Sequence, residues 1–273
     1  MPSIKISLAE IDYKLTWSTE ILQQLKKYAI LQQGWGKWKN LIKDENLFNK
    51  DKVNYVDNVD NEVFIECLQN IWQLNIEKVM RQLNYRNKLQ TSNSYLEIGS
   101  GISILGLILS QAYPHIDIYL LDQNSIEHLE QKPFYNKKHH AYYNSFDVVN
   151  NCIDESNLKK NKINLLTPDS EWPKNIDVIT SYNSYCWHYG VDHYMDNIVS
   201  SLNKNGHLIL DVLYKDNNYN TICNIFDRPV LSFEYKDKMI MKDNEQYGVF
   251  DRSMIDLETD KPIGGRFLWC NNN

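Results

Sequence analysis

The rhythm of apolar and polar positions changes once along the chain. From Ser18 to Gln33, residues Ile21, Leu22, Leu25, Tyr28, Ala29 and Leu31 recur at helical spacing behind a polar start, and the pattern stops at Gly34-Trp35-Gly36. From Asn61 to Leu83, residues Phe64, Cys67, Leu68, Ile71, Trp72, Ile76, Val79, Met80 and Leu83 share one helical face. A polar connection rich in Asp and Asn, Lys43 to Asp60, separates the two. Residues 1–90 are therefore expected to form a helical layer, with Trp17, Trp35, Trp38 and Trp72 in packing roles. From Tyr95 onward, short apolar runs alternate with helical stretches, the signature of βαβ units and an α/β fold with a mostly parallel sheet. The predicted strands are Ser94–Ile98, Ile116–Asp122, Lys162–Leu166, Ile176–Ser181 and His207–Leu213. The predicted helices are Ile102–Tyr113, Ile126–Gln131, Asn144–Leu158 and Val191–Leu202, and the tail adds β-rich stretches at Val230–Tyr235, Tyr247–Asp251 and Gly265–Trp269.

Composition narrows the function classes. With 42% hydrophobic residues the 273-residue chain can bury a large core, which excludes a wholly disordered protein. The balance of 29 basic against 35 acidic residues disfavours a nucleic-acid partner, because phosphate binding normally needs net positive charge. No apolar run reaches the roughly 18 residues of a membrane-spanning helix. The opening MPSIKISLAEIDYK lacks a basic segment followed by an apolar one, so no signal peptide is expected. The five cysteines, Cys67, Cys152, Cys186, Cys223 and Cys270, form no CxxC pair, so neither a disulfide framework nor a cysteine metal site is expected. A reducing, cytoplasmic compartment is the expectation.

The most informative stretch is SYLEIGSGISILGLILSQAYPHIDIYLLDQN, residues 94–124. A strand ends in Glu97-Ile98-Gly99-Ser100-Gly101, an apolar helix opens at once, and the next strand ends in Asp122. Glycines let the backbone turn tightly and approach a ligand, and an acid at the end of the following strand can accept from ribose hydroxyls. A dinucleotide site would place a third glycine at position 104, which is Ile104. Glu97, two residues before the first glycine, would repel a pyrophosphate. The acid suits a cationic cofactor such as S-adenosylmethionine, which carries a sulfonium, an ammonium and one carboxylate.

These residues resemble motif I of the class I S-adenosylmethionine-dependent methyltransferases, (D/E)-x-G-x-G-x-G, with Glu97, Gly99 and Gly101 in place and Ser103 where the third glycine would be. The resemblance extends to IDVITS (176–181), NKNGHLILDVL (203–213) and the final GGRFLWC, so that it spans about 90–270. It implies a doubly wound, seven-strand, mostly parallel sheet with an antiparallel last strand over residues 91–273, and an N-terminal helical cap over residues 1–90. It also implies roles. Gly99, Ser100 and Gly101 would take the methionine part of S-adenosyl-L-methionine, with Glu97 beneath them. Asp122 would take the ribose, Gln123 the adenine, and Asp169 and Ser170 the adenine edge. Ser181, ending the fourth strand, joins the cofactor-binding candidates.

In such a fold the residues after the fourth strand face the transferred methyl. Here they read Ser181-Tyr182-Asn183-Ser184-Tyr185-Cys186-Trp187-His188-Tyr189. This is not the [DN]-P-P-[YF] sequence of enzymes that methylate adenine or glutamine amides. Its rings and hydroxyls suit a small polar acceptor. His188 is the general-base candidate, since a neutral imidazole accepts a proton near pH 7. Asp211, near the end of the fifth predicted strand, is the second catalytic candidate, and no metal is assigned. His193 and the His139-His140 pair are expected on the surface. The turn around His188 and Tyr194 faintly resembles the sugar O-methyltransferases. The expected activity is thus methylation of a hydroxyl on a small or sugar-like acceptor. The alternatives are a non-catalytic cofactor-binding scaffold or an RNA or protein methyltransferase.

Overall fold

A computed structural model of the chain describes residues 3–8, 11–16, 61–62, 65–66, 88–124, 145–182, 184–213, 221–222, 225, 249–255 and 262–270. The helices read from Ser18 to Gln33 and from Ile126 to Gln131, the strand at Val230–Tyr235, residues His139 and His140, and most of Asn61–Leu83 lie outside the described residues.

The strands are β1 (Ser3–Leu8), β2 (Ile11–Thr16), β3 (Ser94–Ile98), β4 (Asp117–Leu121), β5 (Ile163–Leu166), β6 (Ile176–Ser181), β7 (Leu202–Leu213), β8 (Val249–Ile255) and β9 (Pro262–Cys270). The helices are α1 (Lys88–Thr91), α2 (Ile104–Ala112), α3 (Phe146–Glu155), α4 (Tyr185–His188) and α5 (Asp192–Ser201). The fold is α/β, with a parallel sheet of five strands ordered β5-β4-β3-β6-β7. The backbone of β9 pairs antiparallel with β7, from His207 opposite Cys270 to Leu213 opposite Gly264, and β8 pairs antiparallel with β9. Among the described residues no helix is long and apolar enough to cross a membrane.

The chain divides into two units. Ser92–Ser100, Ile116–Leu121 and Pro168–Asn273 form one. Within it β3 pairs parallel with β4 (Glu97 opposite Leu120) and with β6 (Glu97 opposite Thr180), and β6 with β7 (Ser181 opposite Leu210). Leu96, Ile118, Leu120, Val178, Ile179, Leu208, Leu210 and Val212 are buried. A parallel sheet covered on both faces buries successive residues rather than alternate ones, as in Tyr95–Ile98 and Val178–Ser181, where Glu97, Thr180 and Ser181 are buried polar side chains among apolar ones. On α5, Met195, Ile198 and Ser201 form the buried face, and Asp192 in its first turn complements the helix dipole.

Met1–Thr91, Gly101–His115 and Asp122–Thr167 form the other unit. Here α2 is buried from Ile104 through Ser110, so it is an interior helix. In contrast, α3 is amphipathic, burying Val148, Val149, Cys152 and Ile153. Residues 3–8 and 11–16 correct the expectation of a helical layer over residues 1–90. They pair as antiparallel strands, with Leu8 opposite Ile11 and Ser3 opposite Thr16, and β2 lies against α2 and α3. The segments Ser3–Leu8 and Ile11–Thr16 alternate apolar and polar residues, which is a strand pattern.

Candidate cofactor-binding turn and acceptor side

The turn after β3 is a succession of left-handed backbone positions. Gly99 has φ +70°, Gly101 +55° and Ser103 +60°. Glycine adopts such angles without cost, whereas a residue with a Cβ resists them. Ser103 holds the conformation nonetheless, buried, with its hydroxyl donating to the Gly101 carbonyl at 3.2 Å. The third position of the motif therefore keeps the glycine-type backbone although the residue is serine. Ser103 is also the N-cap of α2, and its carbonyl accepts the Leu107 N–H at 2.9 Å.

Three of the turn's N–H groups are directed inward. The N–H groups of Gly99 and Ser100 both point to the Leu121 carbonyl at the end of β4, at 2.7 and 3.2 Å. The Gly101 N–H donates to Oδ2 of Asp122 at 2.5 Å, and the Gln123 N–H to Oδ1 at 2.7 Å. The Asp122 N–H in turn donates to the Leu166 carbonyl at the end of β5, at 3.0 Å. Desolvation pushes the Asp122 carboxyl up to about 6, against the lowering effect of the bonds from Gly101 and Gln123.

Glu97 is buried at 6% exposure near the end of β3. Burial first, and the Glu97 charge second, hold the Tyr95 phenol well above its usual range, and that phenol pairs with the Thr180 hydroxyl at 2.7 Å. Ser100 is buried and Gln123 half-buried. Asp169 and Ser170 lie in the turn after β5, the first exposed and the second half-buried.

On the acceptor side, Ser181 is buried at the end of β6, and its hydroxyl donates to the Ile98 carbonyl at 2.9 Å and accepts the Tyr185 N–H at 3.0 Å. Its one proton is committed to the scaffold. His188 is the last residue of α4, and its side chain, like Asn183, lies outside the described residues. Asp211 is buried in β7 at 1% exposure. Burial, and then the Asp211 charge, push the Cys186 thiol far above its ordinary value, so Cys186 is not a nucleophile at neutral pH. Tyr189 and the exposed His193 stack at 4.6 Å and 9°, with Tyr194 edge-on to His193 at 4.4 Å. Among the described residues no group of three or more His, Cys, Asp or Glu is placed to hold a metal ion.

Sequence reasoning left Ser184 without a role. Its side chain fills the space beside Gly99 that a Cβ there would occupy. The only signal in the sequence is a serine three residues after Ser181 and just ahead of the Tyr185–His188 run.

No protein-family model matches the sequence. No curated protein matches it either. Solved structures that the fold resembles include an O-methyltransferase from a trans-AT PKS multienzyme of Brevibacillus brevis in complex with S-adenosyl-L-homocysteine. It is 20% identical, with 49% of this chain and 40% of that one covered and a TM-score of 0.37. They also include residues 961–1257 of StiE, an O-MT, at 15% identity, 57% and 52% coverage and a TM-score of 0.41. A third is the S-adenosylmethionine-dependent methyltransferase SibL in its apo form, at 11% identity, 93% and 70% coverage and a TM-score of 0.43. The chain thus spans 40% and 52% of the first two.

Proposed function

We propose that the chain is an S-adenosylmethionine-dependent methyltransferase acting on a hydroxyl of a small or sugar-like acceptor. The observation that carries this reading is where the turn's donors go. Gly99, Ser100 and Gly101 direct their N–H groups to Leu121 and Asp122. A phosphate needs such donors turned toward it, and it is repelled by acids such as Glu97 and Asp122. A cofactor bearing a sulfonium and an ammonium needs neither.

The residues present fit that cofactor. Gly99, Ser100 and Gly101 would hold the methionine part, and Glu97 would favour its ammonium. Asp122 would accept from the ribose hydroxyls, with Gln123 beside the adenine and Asp169 and Ser170 at its edge. Ser181 would contribute through the backbone it braces. When bound, the cofactor supplies an electrophilic methyl group on a cationic sulfur. The chain's own tasks are to align the acceptor, exclude water and take the hydroxyl proton. His188 is the proposed base, with Asp211 acting through its neighbours. The finer architecture belongs to the same reading: a seven-strand class I domain over 91–273, with residues 1–90 as a cap that begins with a hairpin and continues in helices. The net charge of −6 and the rings and hydroxyls of 181–189 support a small polar acceptor over RNA.

Titration calorimetry with S-adenosylhomocysteine, with NAD as the comparison ligand, tests the cofactor. Binding of the first alone is expected. Heat from NAD with no response to S-adenosylhomocysteine removes the assignment. Transfer from labelled S-adenosylmethionine to a panel of sugars and polyols, set against tRNA and peptide, then tests the acceptor.

A further inference from the structure

Within the unit that contains β3, β6 and α4, one hydroxyl joins three elements. Ser181 donates to Ile98, the last residue of β3, and accepts from Tyr185, the first residue of α4, and it is itself the last residue of β6. Both bonds are buried, where an unmade bond is costly. Three residues on, Ser184 stands at the N-cap position of α4. A serine there ordinarily accepts a helix N–H, but this one makes no side-chain capping bond. Its Cβ and Oγ instead occupy the space of a Cβ on Gly99, and its Cα lies 3.7 Å from that point. Gly99 is thus required twice, by its φ of +70° and by the serine seated against it. A helix as short as α4 cannot hold itself by intrahelical bonds. Its placement comes from such outside contacts, and it ends in His188.

We propose that Ser181 and Ser184 form a latch through which occupation of the glycine-rich turn orders α4, making Ser181 a positioning residue for the acceptor side of the site. The latch rests on the methyltransferase reading above. A ligand that stiffens the backbone at Ile98 and Gly99 stiffens the carbonyl that Ser181 grips and the notch that Ser184 fills. The two binding events then share one ordering cost, which is a coupling between cofactor and acceptor.

Amide hydrogen exchange by mass spectrometry on the full chain, with and without S-adenosylhomocysteine, tests it. In the wild type the ligand should slow exchange in peptides covering residues 96–104 and also in those covering α4. Without ligand, Ser181→Ala should speed exchange in α4 about fivefold to tenfold, the loss of roughly one buried hydrogen bond. With ligand, that variant should keep the protection at 96–104 and lose it in α4, and Ser181→Thr, which retains the hydroxyl, should restore it. Gly99→Ala, whose added methyl group meets the Ser184 side chain, should mimic the loss. Protection of α4 that survives in Ser181→Ala overturns the latch, as does wild-type protection confined to 96–104. If Ser181→Ala does not fold, Ser184→Gly serves in its place, and undiminished ligand protection of its α4 overturns the latch. A wild type with no response to S-adenosylhomocysteine anywhere overturns the methyltransferase reading itself, and the coupling with it.

Discussion

The two ends of the parallel sheet solve opposite problems. At the end where the strands begin, the Asp177 carboxylate gathers three donors from two segments: the Asn93 N–H at 2.7 Å and the Ser94 hydroxyl at 3.4 Å beside β3, and the Asn203 side-chain amide at 2.8 Å in β7. The Ser94 oxygen accepts the Asp177 N–H at 3.0 Å, and the Asn93 carbonyl accepts the Asp117 N–H at 2.8 Å. Every bond there ties one strand start to another. At the end where β3 finishes, left-handed backbone angles occur at positions 99, 101 and 103, and the Asp122 carboxylate accepts the Gly101 N–H. The first arrangement holds the fold together. The second is a left-handed turn in which Ser103 alone of the three positions bears a Cβ, and it lies at the carboxyl end of parallel strands, where ligands of open α/β sheets bind. A carboxylate alone therefore does not mark a site, because Asp177 and Asp122 are both bonded by backbone N–H groups.

That contrast can be broken by substitution. The largest effect is expected for His188→Ala, which should lower turnover by roughly 10²–10⁴ with S-adenosylhomocysteine affinity intact, the usual share of a positioned acid–base group. Near wild-type turnover in a folded variant takes His188 out of the mechanism. Asp122→Ala should weaken S-adenosylhomocysteine binding by about 1.5–3 kcal/mol, the range for hydrogen bonds to a charged group. Asp122 also sets a pH signature. Its carboxyl is raised from 3.8 to about 6, so the native state holds a proton that the unfolded state releases between those values. Folding stability should therefore fall as pH rises from about 4 to 6 and level off above, while cofactor affinity should fall as pH drops through about 6. Denaturation midpoints and titrations on Asp122→Asn should lose both slopes.

The mirror experiment is Asp177→Ala. It should cost about 1–3 kcal/mol of stability, for donors left unsatisfied, and leave cofactor affinity unchanged. A weakened affinity would mean that the two ends are not separable. The smallest effect is expected for Ser103→Gly. Relief of a left-handed residue, worth about 1–2 kcal/mol, is offset by the roughly 0.5–1 kcal/mol entropy cost of glycine, so chemical denaturation should shift by no more than about 1.5 kcal/mol.

Much of this arrangement was legible in the residues. The predicted strands Ser94–Ile98 and Ile176–Ser181 match β3 and β6, because runs buried on both faces are short, apolar and bounded by polar residues. Strand β7 begins at Leu202, five residues before the predicted His207, since Asn203-Lys204-Asn205 carries no apolar signal and is held by pairing and by the Asn203–Asp177 bond. The strands Ser3–Leu8 and Ile11–Thr16 alternate plainly, but each is only six residues long beside the longer helical periodicity that follows from Ser18. The bond between Asp122 and Gly101 was not read from the sequence, which assigned Asp122 to the ribose. Nor was the fit of Ser184 into Gly99. It joins residues 85 apart by shape alone, and nothing in a one-dimensional pattern encodes that.

The alternating left-handed angles at 99, 101 and 103 also set the terms on which this turn can evolve. The residues between them, Ser100 and Ile102, are buried at 9% and 2% exposure. Odd positions are thus filtered by backbone conformation and even positions by volume. A library randomised across the loop should return two interleaved alphabets, Gly and a few tolerant polar residues at one parity, small or aliphatic side chains at the other. Neighbouring positions answer to different constraints, so drift here must proceed by independent single steps rather than by exchange of whole segments.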